Sequence, residues 1–320
     1  MFVQKLARTD GAALSGLRTA IRGVPRVIPP LQVAALVAMV AMVGTRGWQH
    51  HLPEGFALAI VATAIWAPDL ARQSSRRWWF WYVAGIFLYT LLRSLADETN
   101  IPVRTAYPIN FDDALFFGNN PTQALQRWLF RPPSVSLVDW AAVLMHWSFF
   151  IAPHLVALVL FLRKRELFPR FTVAMLLTWY AGLALFFLVP TAPPWLAANS
   201  GALPGTFRVM DFVGGQVSEG AYNNVTATFG EPNSVAAMPS LHMAITFVLI
   251  LWAFSHGRRL GLLAGAYGIA MAFSLLYLGE HYLADMLVGV AVAIGGFAAA
   301  RRWVPVVPRL SEQQPQAARR

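Results

Sequence analysis

The chain has 320 residues, is 57% hydrophobic and only 12% charged, contains no Cys, and has a mean hydropathy of +0.51 with a formal net charge of +10. An ordinary soluble domain carries roughly 25% charged residues, and a single core of this size cannot hide so much apolar surface. Disorder, collagen-like and disulfide-stapled architectures are excluded, as are thiol catalysis, thiolate metal sites and iron–sulfur clusters; the composition is that of a polytopic membrane protein.

In chain order, residues 1–30 form a basic arm. Arg18, Arg22 and Arg26 recur at i, i+4 with Leu14, Leu17 and Ile21 between them, the pattern of an amphipathic helix on anionic lipid or of a solvated arm that sets orientation. It lacks the apolar h-region and cleavage site of a secretory signal peptide. Uncharged stretches then mark the spans: Val27–Thr45, Gly55–Pro68, Trp78–Leu92, Trp140–Leu162, Phe171–Phe207 (its second half too rich in Pro for helix), Pro232–Gly257, Leu260–Gly279 and Met286–Ala300. Crossing a bilayer takes about 20 mostly apolar residues, which the shorter stretches reach with flanking Trp, Tyr or snorkelling Arg. The expected fold is all-α: a polytopic membrane helical bundle of about eight transmembrane helices. It forms one membrane domain over residues 31–303, followed by a tail over 304–320. No transporter-type repeat is visible.

Two connecting segments are long. Residues 96–136 contain Asp112, Asp113, Phe116 and Phe117, then Pro121, Gln126, Arg127 and Trp128, which predicts an interfacial helix. Residues 191–238 carry Pro193, Pro194, Pro204 and many Gly and Asn, which predicts an ordered loop or lid.

Alternating sides from a cytoplasmic N-terminus explains the basic charge. Nineteen Lys and Arg, including Lys5 and Lys164, fall in cytoplasmic segments; only Arg46, Arg93, Arg104, Arg127, Arg131 and Arg208 fall outside. That excess follows the positive-inside rule, so nucleic acid is not an expected partner. Both termini are expected in the cytoplasm of a plasma (inner) membrane protein. Asp97, Glu98, Asp112, Asp113, Glu280 and Asp285 fall on the opposite side.

Ionisable residues at spans are functional candidates because membrane burial costs each a few kcal/mol. His281 and Asp285 are four residues apart in Gly279-Glu280-His281-Tyr282-Leu283-Ala284-Asp285, which on a helix places both on one face. A carboxylate on one ring nitrogen leaves the other as base or nucleophile; the bland reading is a structural hydrogen bond. A second histidine lies in Met238-Pro239-Ser240-Leu241-His242, where Pro suits a helix start and the free N–H groups with the Ser240 hydroxyl form an anion cradle. The chain turns back at His256-Gly257-Arg258-Arg259, so a helical hairpin brings His242 and His281 together. His281, Asp285 and His242 with a further carboxylate could also ligate a metal, although the chemistry needs none and no cofactor is expected. His146 and His154 read as buried, hydrogen-bonded helix contacts, and Gly265, Gly289 and Gly295-Gly296 as close-packing positions.

The segments Pro239-Ser240-Leu241-His242 and Ser274-Leu275-Leu276-Tyr277-Leu278-Gly279-Glu280-His281-Tyr282-Leu283-Ala284-Asp285 resemble the second and third signatures of the type 2 phosphatidic acid phosphatase superfamily. Pro190-Thr191-Ala192-Pro193-Pro194-Trp195 resembles a segment of its inositol phosphorylceramide synthase branch. The resemblance implies a six-helix phosphatase-like core in which His281 attacks phosphorus, Asp285 orients it and His242 protonates the leaving oxygen, with Trp195 and Tyr282 in support. The chain departs from commoner members in two places. Leu275 follows Ser274 where they have Arg, and their first signature, a Lys followed by Arg-Pro, is not recognisable.

The expected function is phosphoryl transfer from a lipid or polyprenyl phosphate at the outer face through a phosphohistidine. The acceptor would be water, giving a phosphatase, or an inositol or sugar hydroxyl, giving a phosphotransferase. The competing class is a carrier that binds an anionic headgroup without chemistry. Since a transferring phosphoryl group spreads charge over its oxygens, the outer arginines are clamp candidates. Arg93, one turn before Asp97 that would hold its fork, is expected at the substrate phosphate with at least one of Arg127, Arg131 and Arg208. Snorkelling to lipid headgroups is the alternative.

Overall fold

The computed structural model describes residues 76–93, 101–216 and 234–305. The chain divides into two compact units, residues 1–76 and 77–320. The basic arm, the first two expected spans, Arg46, Asp97 and the end of the tail lie outside the described residues.

Regular structure among the described residues is helical: α1 (Arg76–Arg93), α2 (Ala106–Leu115), α3 (Pro121–Leu129), α4 (Leu137–Ser148), α5 (Ala152–Arg163), α6 (Phe168–Leu188), α7 (Pro194–Asn199), α8 (Leu241–His256), α9 (Arg258–Tyr277) and α10 (Leu283–Trp303), with residues 209–216 helical as well. Three of them, α6, α9 and α10, are long and apolar enough to cross a membrane. The α4–α5 pair makes a fourth candidate, bent by 43° at its break, and α8 is a shorter apolar helix. Three or four spans are therefore supported among the described residues. The stretch Trp140–Leu162, expected as one straight span, is two helices. Pro153 sits in the first turn of α5, where a missing N–H is tolerated but the preceding helix cannot continue unbroken. Leu158, Val159, Leu162, Leu262, Leu263, Ile269, Leu287 and Ile294 are exposed on these helices, as lipid-facing residues must be.

Helix α8 packs on α6, α9 and α10, and α6 packs on α10; the four alternate in direction, which gives the bundle two unlike ends. One end gathers the basic residues: Arg170 at the start of α6 donates from Nε to the Val304 carbonyl past the end of α10, at 2.9 Å. The turn between α8 and α9 brings Arg258 and Arg259 there too. The opposite end collects the end of α6, the starts of α8 and α10, and the end of α9, where the histidines lie.

Close helix approach depends on particular small residues. A Cβ on Gly289 would strike the Ser240 carbonyl, and one on Gly296 would lie 2.5 Å from Thr178 Oγ1. Both are the contact positions expected. Gly265 and Gly295 are not, because nothing lies within 4 Å of where their Cβ would stand; they face outward from the bundle.

Loops at the histidine end are tied together by backbone pairing rather than by a sheet. Thr191 bridges in parallel to Arg104 on one side and Ala236 on the other. Thr191 N donates to Val235 O at 2.7 Å, and Ala237 N donates to Thr191 O at 3.1 Å. Tyr107 Oη and the buried Thr191 Oγ1 share a 2.7 Å hydrogen bond. This crossing fixes the segment that leads into α8, including the Ala237 carbonyl.

Candidate active site

Ser240 is the N-cap of α8, its hydroxyl oxygen accepting from Met243 N at 3.2 Å. Pro239 therefore precedes the cap instead of occupying the first helical position, and His242 is the second helical residue. The fully buried Ser240 also donates from its backbone N to the Asp285 carbonyl at 3.0 Å, locking the start of α8 to the start of α10. With its oxygen engaged inside its own helix, Ser240 has only its hydroxyl proton left to offer an anion.

His281 and Asp285 meet by a different local route from two turns of one helix. Helix α9 ends at Tyr277, Gly279 takes a left-handed φ of 78°, and α10 begins only at Leu283. His281 thus stands in the linker, and Asp285 reaches back to it as the third residue of α10. Asp285 Oδ2 accepts from Tyr282 N at 3.0 Å, satisfying a free N–H at the start of α10, and lies 3.5 Å from His281 Nδ1. Gly279 is required twice over, since a Cβ there would also stand 2.7 Å from the Phe207 carbonyl. Gly279→Ala should cost ~1–3 kcal/mol from the strained φ and displace His281. Thermal unfolding in detergent checks this, and an unchanged midpoint would contradict it.

The hydrogen bonds assign the proton on His281. Its Nδ1 faces two acceptors, the Ala237 carbonyl at 3.1 Å and the Asp285 carboxylate. Nδ1 therefore carries the hydrogen, and Nε2 presents its lone pair. That Nε2 lies 3.2 Å from His242 Nδ1, which must then be the donor between them. His281 and Asp285 are buried, while His242 is half-buried with Nε2 unpartnered among the described residues. Aromatic rings wall His242: the centroids of His146 and Phe149 stand 4.5 and 4.3 Å away, and that of Phe150 6.0 Å.

Three polar residues that sequence reasoning left without a role brace this arrangement. The fully buried Asp112 of α2 accepts from Leu283 N and Ala284 N at 2.9 and 3.1 Å, capping α10 from outside. Glu280, next to His281, takes the Arg208 guanidinium at 2.9 and 3.3 Å. Burial alone would raise its carboxyl, but Arg208, helped by His146 and His281, holds it below the ordinary value. Gln126 of α3 donates to the Phe207 and Tyr277 carbonyls and accepts from Phe207 N, joining that loop to the end of α9. Their partners lie 72 to 172 residues away, so only an acid abutting a candidate histidine, as at Glu280, gave any local signal.

Burial pushes the Asp112 carboxyl up to about 6, with Asp285 and Asp113 adding to the rise and its two N–H bonds opposing it. The unfolded group titrates near 3.8. Between about pH 4 and 6 the folded protein keeps a proton the unfolded chain has released, so this group's contribution to stability falls as pH rises. Relative to Asp112→Asn, the parent should lose melting temperature across that window; a pH-independent difference would contradict the assignment.

The remaining candidates divide by place. Arg208 sits against Trp195, its guanidinium 4.4 Å from the ring centroid. Both line a cavity of about 350 Å³ with Phe130, Asn199, Thr206 and Asp211. Arg93, at the end of α1, is within electrostatic reach of His242. Tyr282 is fully buried, with its hydroxyl unpartnered among the described residues. Arg127 and Arg131 are exposed, and Arg131 donates to the Arg127 and Phe130 carbonyls at the end of α3; neither is brought to the imidazoles. His154 has the partner expected of a helix contact, Tyr82 Oη at 2.9 Å. His146, buried like it was expected to be, has none on either ring nitrogen among the described residues.

Two imidazoles in contact, one backed by a buried carboxylate, at one end of an apolar helical bundle form an arrangement that can do nucleophilic and acid–base chemistry. The PAP2 superfamily model matches residues 109–299, more than half of the chain and all of this paired-imidazole centre. The chain belongs to that superfamily. It is also similar to the phosphoinositol dihydroceramide synthase of Bacteroides thetaiotaomicron, 29% identical over 156 residues that make up 45% of this chain and 50% of that protein. The match thus spans about half the length of the curated relative. No solved structure matches the chain.

Proposed function

We propose that the protein transfers a phosphoryl group from a lipid or polyprenyl phosphate by way of a phosphohistidine on His281. The observation that carries this reading is the orientation of His281, with Nδ1–H held by Ala237 O and Asp285 and the Nε2 lone pair aimed at His242. In the first half-reaction, the Nε2 lone pair forms a bond to phosphorus as the bond to the leaving oxygen breaks. His242, as imidazolium, gives that oxygen its proton. Asp285 stabilises the cationic ring that results. In the second half, His242 takes the proton of an incoming hydroxyl, whose oxygen displaces His281 from phosphorus.

The substrate must separate the two imidazoles, which now touch. Arg93, by its reach to His242, and Arg208, held by Glu280 and Trp195, are the cations best disposed toward the phosphate oxygens. Exposed Arg127 and Arg131 are better suited to lipid headgroups. The basic residues at the far end of the bundle support an outward-facing site under the positive-inside rule.

The relative's name describes a phosphodiester joining a polyol to a lipid, which favours an alcohol over water as acceptor. Purified protein incubated with labelled lipid phosphates, with and without inositol, tests the reading. Label in an inositol phosphate, the monoester that this transfer forms, identifies a transferase and free inorganic phosphate a phosphatase. Binding of lipid phosphate with no turnover of any lipid would mark a carrier and contradict the reading.

A further inference from the structure

His146 is only 5% exposed, yet both of its ring nitrogens lack a hydrogen-bond partner among the described residues. A buried imidazole that merely packed helices together would be expected to satisfy at least one nitrogen, as His154 does with Tyr82. Its backbone is fixed firmly. Ser136 and Asp139 form a capping box at the start of α4, Tyr277 Oη donates to Asp139, and Ser274 Oγ donates to the Ala142 carbonyl at 2.7 Å. These bonds hold α4 against α9 and set His146 in its last turn, just before the break that leads to α5.

The position is chemically specific. The His146 ring packs at a tilt on His242, with centroids 4.5 Å apart and planes inclined by 36°, and it lies within electrostatic reach of His281, Glu280 and Arg208. No nitrogen-to-nitrogen hydrogen bond joins the His146 and His242 rings, so the geometry does not make His146 a direct proton relay to its neighbour. A neutral imidazole offers one N–H donor and one acceptor. What this ring lacks is an acceptor oxygen arriving beside the two reacting histidines.

We propose that His146 is a third catalytic imidazole, whose N–H donates to a non-bridging oxygen of the substrate phosphoryl group while His281 attacks and His242 serves the leaving oxygen. It would supply a donor at the place left by the unrecognisable basic signature. The inference rests on the phosphohistidine reading of the site.

The test compares His146→Phe, which keeps an aromatic wall for His242 without a donor, with His146→Gln, which keeps an N–H. Turnover of a lipid phosphate, inhibition by orthovanadate and unfolding in detergent are measured for each. Loss of one donor to a transferring group typically costs ~10²–10³-fold in kcat. His146→Phe should lose about that much in kcat and weaken vanadate inhibition, with KM changed by no more than a few-fold, and His146→Gln should recover at least about tenfold over Phe. If His146→Phe fails to fold, His146→Leu takes its place in the comparison. Activity of the donor-less variant within a few-fold of the parent would overturn the inference, as would equal loss in both variants. His281→Ala run alongside separates the two readings. Activity surviving there sinks the phosphohistidine itself, whereas its loss beside an unaffected His146→Phe sinks only the role of His146.

Discussion

His281→Ala is expected to lose at least about 10⁴-fold in kcat, because a nucleophile that forms the covalent intermediate cannot be replaced by binding alone. The fold should survive. His281 belongs to no helix, and its backbone N donates to the Leu275 carbonyl whatever the side chain. An unfolding midpoint near that of the parent, together with the lost turnover, is therefore the predicted pair of results. Activity within about tenfold of the parent would transfer the nucleophile's role elsewhere.

The second large effect falls on Asp285. Asp285→Asn keeps the size of the side chain and an oxygen able to accept from Tyr282 N, but removes the charge beside His281 Nδ1. The amide also permits the opposite ring tautomer, which would direct a hydrogen rather than a lone pair at phosphorus. A loss approaching ~10⁴-fold in kcat is expected, by analogy with the carboxylate of the serine-protease triad. Binding of lipid phosphate should change far less, because the carboxylate is fully buried behind the His281 ring. Equal losses in KM and none in kcat would show Asp285 to be a structural cap alone. Asp285→Ala should add ~1 kcal/mol of instability through the lost hydrogen bond from Tyr282 N.

Much of this site could be read from residue order because its chemistry is local. Pro239 to His242 and Gly279 to Asp285 each lie within seven residues, and the basic turn at Arg258-Arg259 dictates a hairpin between them. Apolar runs likewise foretold α6, α9 and α10, since a span needs an uninterrupted stretch and little else. The features that escaped depend on partners distant in sequence. Nothing around Asp112 announces that it caps a helix starting 171 residues later, and Arg208 reads as a loop cation until Glu280 is seen beside it. Spacing alone also suggested one helical face for His281 and Asp285. Gly279 was the clue that the chain turns first, because its left-handed φ ends α9 before the histidine. Glycines divide in the same way: composition cannot tell Gly289, pressed on the Ser240 carbonyl, from Gly265, which faces open space.

The most direct measurement of the central claim is trapping of the intermediate. Purified protein mixed with a ³²P-labelled lipid phosphate is quenched within milliseconds, and the label on protein is assayed for stability and mapped by peptide. A phosphohistidine at His281 predicts label lost in acid and kept in alkali, on the peptide containing Gly279-Glu280-His281, and absent from His281→Ala. Acid-stable label, as from a Ser or Thr ester, or label that persists in His281→Ala, would contradict it.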